Sequence, residues 1–394
     1  MNSQCRVSHE PTAHASPQRE QEIWSATRRR HAARRARPGF LSLALRASMR
    51  PRAVVLSLLL AGLSTAAEMP TLAGPAMGTT YRVTLAADVP GMSRGEVHRD
   101  VEAVLARIDR AASTWRNDSD ASRFNRAAAN EWVTVSADLL TLVEAARDIQ
   151  EQSNGAFEIT IGPLVQLWSG GALEPSANMI AAARGRVGMR LVESRPATTE
   201  AGAALRKSQA GVEIDLSGIA PGYAVDRIGE RLLELGSPAH LVELGGEVRA
   251  WGQRAEGRSW QVRLRDVDDG RGQPQEIDLA DGAAVATSTC RPGRSPIDPR
   301  TGRPVASSSS GSSGTSGRSA TVRAATCATA DAWAVAAIVL GLQPDRDGTI
   351  TVAPSTPAGP TAARRAGPSG SPAPGCAETP AAGSPLPAGA RPSP

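Results

Sequence analysis

The stretch EIDLSGIAPGYAVDRI, residues 213–228, decides how this chain is read. It opens with the alternation of a strand, bends through small residues and closes at helical spacing. A strand-to-helix joint needs one glycine and a cap. This one carries Gly218 and Gly222, with Asp215 ahead of them and Asp226 after. Glycine lets backbone approach a bulky ligand with no Cβ in the way, and open amides at a helix start suit phosphate oxygens. Asp215 is expected to point off the strand toward that space. Asp226 reads most simply as a solvated charge on the helix face.

Outward from this joint, strand and helix patterns alternate. MGTTYRVTLAAD, 77–88, alternates like a strand. Residues 93–113 place Val97, Val101, Val104, Leu105 and Ile108 at helical spacing, and residues 134–154 repeat that pattern behind Ser136 as cap. PGYAVDRIGERLLELG predicts a helix, 241–251 and 258–265 predict two strands, and ATADAWAVAAIVLG, 328–341, predicts a last helix. The folded region runs from about 70 to 345.

Composition bounds the rest. A hydrophobic fraction of 41% supports a core, but aromatics at 3% with 38 Gly and 29 Pro mark a folded part carrying disordered additions. The net charge of +5 is concentrated in RRRHAARRAR, 28–37. Arginine is abundant and Lys207 is the lone lysine, a bias expected of GC-rich coding, so no nucleic-acid partner is inferred. None of Cys5, Cys290, Cys327 and Cys376 forms a CxxC pair, which argues against a zinc site. Isolated thiols are favoured over a Cys290–Cys327 disulfide.

MRPRAVVLSLLLAGLSTAA, 49–67, has a basic start, a short apolar run and small residues at its end: a secretory signal, too short to span a bilayer comfortably. Met49 then reads as the start, and 1–48 as a misassigned or disordered leader. Residues 68–352 form the folded domain, with VASSSSGSSGTSGRS, 305–319, as a flexible insert. The Pro/Ala/Gly-rich 353–394 is a disordered tail, either a natural linker or out-of-frame translation. The mature chain is expected to be exported to the periplasm, possessing no transmembrane segment.

Further segments carry candidate chemistry. STWRNDSDASRFN, 113–125, is an Asx-type surface loop or a ligand loop whose Trp115 stacks on a flat ring. In GAFEITIGPLVQLW, 155–168, Glu158 accepts hydrogen bonds from a ring or ribose, or belongs to a structural turn. HLVELGGEVRAWG, 240–252, puts Gly245-Gly246 inside a strand, the mark of a bulge or of close ligand approach. PIDPRTGRPV, 296–305, is a rigid turn that Asp298 caps. Asp331, near the start of the last helix, is a capping or exposed carboxylate, or a metal ligand.

In this order, MGTTYRV, STWRNDSDASRFN, GAFEITIGPLVQLW, EIDLSGIAPGYAVDRI, LVELGGEVRAWG, AVATS, IDPRTGRPV and ADAWAVAAIVLG resemble the ApbE family, the FAD:protein FMN transferases. The resemblance implies an α+β fold, a mixed and largely antiparallel sheet with packed helices, T-fold-related, with a helical part from the first half. It implies FAD as substrate, Mg²⁺ as cofactor, and transfer of FMN to a Thr or Ser hydroxyl with release of AMP. The acceptor would be a flavoprotein subunit of a membrane redox complex. By position, Met77, Trp115, Ala156, Phe157, Glu158, Asp215, Pro221 and Ile297 fall where the family contacts FAD; Gly218 and Asp331 fall where it holds the metal. Asp331 and Asp298 are the carboxylates available to help remove the hydroxyl proton.

The chain departs from the family pattern at two places that matter. Val335 stands where a threonine supplies a metal oxygen, and Ser295 stands where a histidine serves proton transfer. A proline at 221 also replaces a longer polar residue. A catalytically impaired FAD-binding or assembly protein, and an FAD pyrophosphatase, are the alternative readings.

Overall fold

The computed structural model describes residues 69–169, 174–254, 257–264, 275–290, 295–306, 319–345 and 348–352. The expected leader, signal and tail, and residues 307–318 of the expected insert, lie outside the described residues.

The chain enters through a hairpin. Strands β1 (Thr71–Ala76) and β2 (Thr79–Leu85) pair antiparallel, with Ala76 opposite Thr79. The turn between them is Met77-Gly78, with φ +48° and +77°, the left-handed pair that matches strand twist in a tight hairpin. Residue 77 is therefore a turn residue, and the predicted strand begins two residues later. β1, sequence TLAGPA, gives no strand signal because Gly74 and Pro75 interrupt it. It forms because β2 offers a template.

Helix α1 (Arg94–Ala112) follows, opened by a reciprocal capping box between Ser93 and Glu96. Short α2 (Asp120–Arg126) is capped by Ser119. After β3 (Trp132–Thr134), Ser136 caps α3 (Ala137–Gln152), as its sequence predicts. A 3-10 turn, Ile159–Ile161, leads into α4 (Gly162–Ser169), and α5 (Ala177–Arg184) follows. β4 (Val192–Arg195) and β5 (Ala204–Lys207) join β3 in a small sheet of order β3-β5-β4.

Residues 213–216 do not join a sheet. Their backbone bonds go instead to the 3-10 turn, Asp215 N to Ile159 O at 2.7 Å and Gly162 N to Glu213 O at 3.2 Å. The Asn125 side chain takes both backbone groups of Ile214. The segment is extended, but with isolated partners in place of a ladder. Helix α6 (Ala220–Glu234) then starts where predicted, with Pro221 in its first turn, where a missing amide costs nothing.

β6 (His240–Leu244) and β7 (Glu247–Trp251) form a second hairpin, so Gly245-Gly246 is a turn between two strands, not the interior of one. Both glycines have positive φ, +71° and +133°. β8 (Trp260–Leu264) pairs with β9 (Gln275–Leu279). β10 (Ala284–Thr289), the two-residue strands β11 (Ile297–Asp298) and β12 (Arg303–Pro304), β13 (Ser319–Ala324), α7 (Cys327–Leu340) and β14 (Ile350–Thr351) complete the chain.

The main sheet runs β1-β2-β6-β7-β10-β13-β14. Its pairings are antiparallel except β13 with β14. Alternation sorts its two faces. Val83, Val242, Leu244, Trp251, Ala284 and Ala286 face the helices and join the main core with α1, α6 and α7. Val248, Ala250 and Val285 face the other way and are covered by Trp260, Ile277 and Leu279 of the β8–β9 hairpin. The expected α+β architecture with a mostly antiparallel sheet is thus the one found. No helix among the described residues is long and apolar enough to cross a membrane.

Candidate functional site

The starts of α6 and α7 cross in close contact. α7 reads CATADAWAVAAIVL and is buried on opposite sides: Ala330, Ala332 and Ala336 in the main core, Ala334, Ala337 and Ile338 against β13. A helix this apolar packs well only if its neighbour gives way. Gly222 does so; a Cβ there would lie 2.3 Å from the Cys327 carbonyl oxygen. Asp331 sits in this interface, 6% exposed, and accepts the Gly222 amide at 3.0 Å through Oδ2.

The surroundings of Asp331 are acidic. Burial pushes its carboxyl well above the usual range; nearby Glu247 and Asp226 push it further, and the Gly222 amide opposes them. Glu247, the first residue of β7 after the Gly-Gly turn, is pushed up to about 7 by burial, with Glu243 adding to the effect. Asp226 has its own partners. It accepts the Cys327 and Ala328 amides and pairs with Arg249 Nη1 at 2.6 Å. Burial pushes its carboxyl up, while Arg249 and the two amides draw it down. It is 5% exposed, so the solvated helix-face charge expected at this position is a buried one.

Gly218 lies one step from this interface. A Cβ at Gly218 would stand 3.1 Å from Val335 Cγ2 and 3.4 Å from the Phe157 ring. The structure therefore brings Phe157, Gly218 and Val335 together, one turn of α7 beyond Asp331. Met77 and Val335 both pack on the main core.

The other predicted contact residues are distributed around this centre. Ala156 and Phe157 are buried. Glu158 is buried too, with its carboxylate turned inward onto the Thr160 amide and hydroxyl and the Met189 amide, at 2.8–3.1 Å. Burial raises its pKa against those donors. Its side-chain oxygens thus cap a turn, the structural alternative its sequence allowed. Asp215 accepts the Ser217 amide at 2.9 Å in an Asx turn. Trp115 is 96% exposed, on a loop whose Trp115 and Arg116 amides are both held by Ser113 Oγ.

Ile297 packs against Leu164, Ala183 and Val187, under the β11–β12 hairpin. Asp298 is gripped by Arg300, at 2.9 and 3.0 Å, and by the Arg300 amide. Partial burial acts upward on its carboxyl, but these bonds hold it below the usual range. Arg300 also reaches the Val339 carbonyl. Val339 is two turns of α7 beyond Asp331, about 12 Å along the axis. The two carboxylates named for proton removal are therefore placed apart, and Asp298 caps its turn as predicted.

Do these residues suit a divalent cation? Among the described residues no three His, Cys, Asp or Glu side chains form a ready metal cage. The donor chemistry nevertheless fits Mg²⁺. The half-buried carboxylate Glu247 raises the pKa of the buried Asp331, a repulsion that a hard cation would relieve. Mg²⁺ characteristically uses one or two carboxylates and takes its remaining oxygens from water and phosphate. Val335 offers no oxygen. Glu247 was not singled out from sequence; its position directly after Gly245-Gly246 was the available signal.

A sequence profile of the ApbE family matches residues 77–347. The chain belongs to the ApbE family. Among ApbE relatives, the FAD:protein FMN transferase of Haemophilus influenzae is 30% identical over 306 residues, covering 73% of this chain and 86% of that protein. The FAD:protein FMN transferase of Vibrio cholerae serotype O1 is 31% identical over 294 residues, covering 72% and 85%. Among solved structures, flavin transferase ApbE from Vibrio cholerae superposes with a TM-score of 0.60 at 30% identity, covering 71% of this chain and 89% of that one. The apo flavinyl transferase ApbE of Pseudomonas stutzeri gives 0.60 at 30% identity, covering 71% and 86%.

Proposed function

We propose that this chain is a Mg²⁺-dependent FAD:protein FMN transferase. The observation that carries the reading is the buried Asp331 beside Glu247 at the α6–α7 crossing, in a chain whose ApbE relatives bear that activity in their names. In the proposed reaction, a Thr or Ser hydroxyl of a flavoprotein acceptor attacks the FMN-side phosphorus of FAD. The P–O bond to the AMP half breaks, AMP leaves with that electron pair, and the hydroxyl proton passes to a base.

Asp331 and Glu247 would hold Mg²⁺, which neutralises diphosphate charge as the bond breaks. The Gly222 amide orients Asp331 through its second oxygen. Gly218 brings backbone close to the nucleotide without a Cβ. Phe157 supplies an apolar wall beside it. The exposed Trp115 is free to lie against a flat ring. Export to the periplasm belongs to the same proposal, as does an acceptor in a membrane redox complex.

A second reading has its own support. Val335 gives no metal oxygen, Ser295 is no imidazole, and Asp298 is held ionised by Arg300, which makes it a weak base. These features favour a protein that binds FAD and transfers slowly or not at all.

One experiment separates them. The full chain is incubated with FAD, MgCl₂ and a flavoprotein subunit, and flavin fluorescence in a denaturing gel is read with AMP release. A fluorescent acceptor band with matching AMP supports transfer. FAD bound without AMP supports the binding protein, and AMP without a band supports FAD hydrolysis. No uptake of FAD would falsify every version.

A further inference from the structure

Lys207 is the lone lysine of an arginine-rich chain, and it is 1% exposed. A buried ammonium persists only where its donors are satisfied. Here Nζ donates to the Asn125 carbonyl at 2.7 Å and to the Val212 carbonyl at 3.0 Å, and it stands 5.3 Å from the centre of the Phe124 ring. A compact ammonium suits this gap between two carbonyls and a ring; a planar guanidinium needs more room. Burial lowers its pKa, and Glu213 and Glu131 oppose that.

The groups it joins have functional neighbours. Asn125 lies in the last turn of α2, the helix that follows the Trp115 loop. Its side chain donates to the Ile214 carbonyl at 2.9 Å and accepts the Ile214 amide at 2.8 Å. On the other side, the Asp215 amide donates to Ile159 O, just past Phe157 and Glu158. The extended segment 212–216 has no ladder of its own. It is suspended between these side-chain and turn contacts, and it delivers Asp215 and Gly218.

We propose that Lys207 and Asn125 are positioning residues for flavin nucleotide binding, a clamp that fixes segment 212–216 between the Trp115 loop and the Phe157 turn. Neither residue touches the nucleotide. They act through Asp215 and Gly218, by keeping the backbone bend in the one arrangement that the bound FAD requires. The proposal rests on the transferase reading for its ligand and on the hydrogen bonds alone for the clamp.

The test uses the full chain with Lys207→Met, which keeps length and removes the donors. Amide exchange at Ile214 and Asp215 and FAD affinity by flavin fluorescence quenching are measured together. Lys207→Met is expected to speed exchange at both amides about tenfold and to weaken FAD about tenfold. Exchange in β2 and β6 is expected to stay at the wild-type rate. A merely structural lysine would leave FAD affinity unchanged or loosen the whole sheet together, and either result overturns the proposal.

Asn125→Asp covers the case in which Lys207→Met does not fold. It keeps the acceptor for the Ile214 amide and replaces the donor to the Ile214 carbonyl with a repelling oxygen, so the same local changes are expected. A wild-type chain that takes up no FAD overturns the transferase reading and the nucleotide half of the proposal. The clamp is then judged on exchange, and unchanged rates at Ile214 and Asp215 refute it.

Discussion

Asp226 on α6 accepts the Cys327 and Ala328 amides that open α7, at 2.9 and 3.0 Å. One helix thus caps another from the side, in addition to the local cap from Thr326. Arg249 of β7 completes the arrangement from the sheet. The α6–α7 crossing that holds Asp331 therefore depends on a carboxylate with no direct part in the proposed chemistry. Asp226→Ala leaves Arg249 largely buried without its partner and two helix amides open. A loss of about 3–5 kcal/mol is expected, read as the shift in a urea unfolding midpoint. Asp226→Asn, which keeps acceptor and shape, should cost less.

Gly222→Ala tests the closeness of the same crossing. The added methyl meets the Cys327 carbonyl at 2.3 Å and the Ala328 Cα at 2.9 Å, so the backbone has to move. Destabilisation of about 1–3 kcal/mol is expected from overpacking. Because the Gly222 amide also orients Asp331, half-saturating Mg²⁺ should rise in the same variant. Wild-type Mg²⁺ dependence would show that the crossing and the cation are unrelated.

Asp331→Asn separates charge from shape. Its amide oxygen still accepts the Gly222 amide, and a buried carboxylate beside Glu247 is removed. Thermal stability without cation should stay level or rise. The stabilisation that MgCl₂ gives the wild type should vanish, and transfer should fall on the order of a hundredfold or more. A Mg²⁺-induced melting shift that survives in Asp331→Asn would place the cation elsewhere.

Val335→Thr puts back an oxygen. Val335 Cγ2 already lies against Gly218, so a threonine hydroxyl in its place would face Gly218 with little change in volume. A stability loss of roughly 1 kcal/mol is expected without metal, from the partly buried hydroxyl. Half-saturating Mg²⁺ should fall. Ser295→His added to it should raise the transfer rate further, within the 10²–10⁴ range of a recovered general base. Equal rates in the wild type and the double variant would show that these two positions do not limit the reaction.

His240 gives the fold an acid limit. It is fully buried, stacks on Trp251 with ring centres 4.9 Å apart, and has its Nδ1 3.3 Å from Ser237 Oγ. Burial pushes its pKa down from 6.5 to about 4. The unfolded chain therefore takes up the proton first as pH falls. Stability from this group is complete above about pH 6.5 and is lost progressively between 6.5 and 4, by about 3 kcal/mol in all. His240→Gln should flatten that part of the stability profile, measured by urea unfolding from pH 7.5 to 4. An unchanged slope in the variant would assign the acid sensitivity to other groups.

Local rules carried much of the secondary structure. Ser93 with Glu96, Ser136, and Pro221 in the first turn of α6 mark helix starts by chemistry confined to a few neighbouring residues. The expected helices at 93–113, 134–154 and 328–341 formed within a few residues of those limits. Strands were harder, because their partners are distant. TLAGPA became a strand only against β2, and 213–216 looked like a strand but found single bonds to Asn125 and Ile159. Gly245-Gly246 could be a bulge or a turn until β6 and β7 paired across it.

At the candidate site, residue types and order alone indicated glycines where backbone must come close and a carboxylate near a helix start. Burial and partner choice were decided by tertiary packing. Asp226 looked solvated from its helix and is enclosed because α7 crosses above it. Glu158 turned its charge inward to a turn that includes Met189, a contact no local pattern announces. Lys207 found Asn125, and Glu247 came to act on Asp331, each from a segment far away in the chain. The amino-acid order determines short-range hydrogen bonding and the spacing of apolar side chains, whereas the environment of an ionisable group depends on which distant elements enclose it.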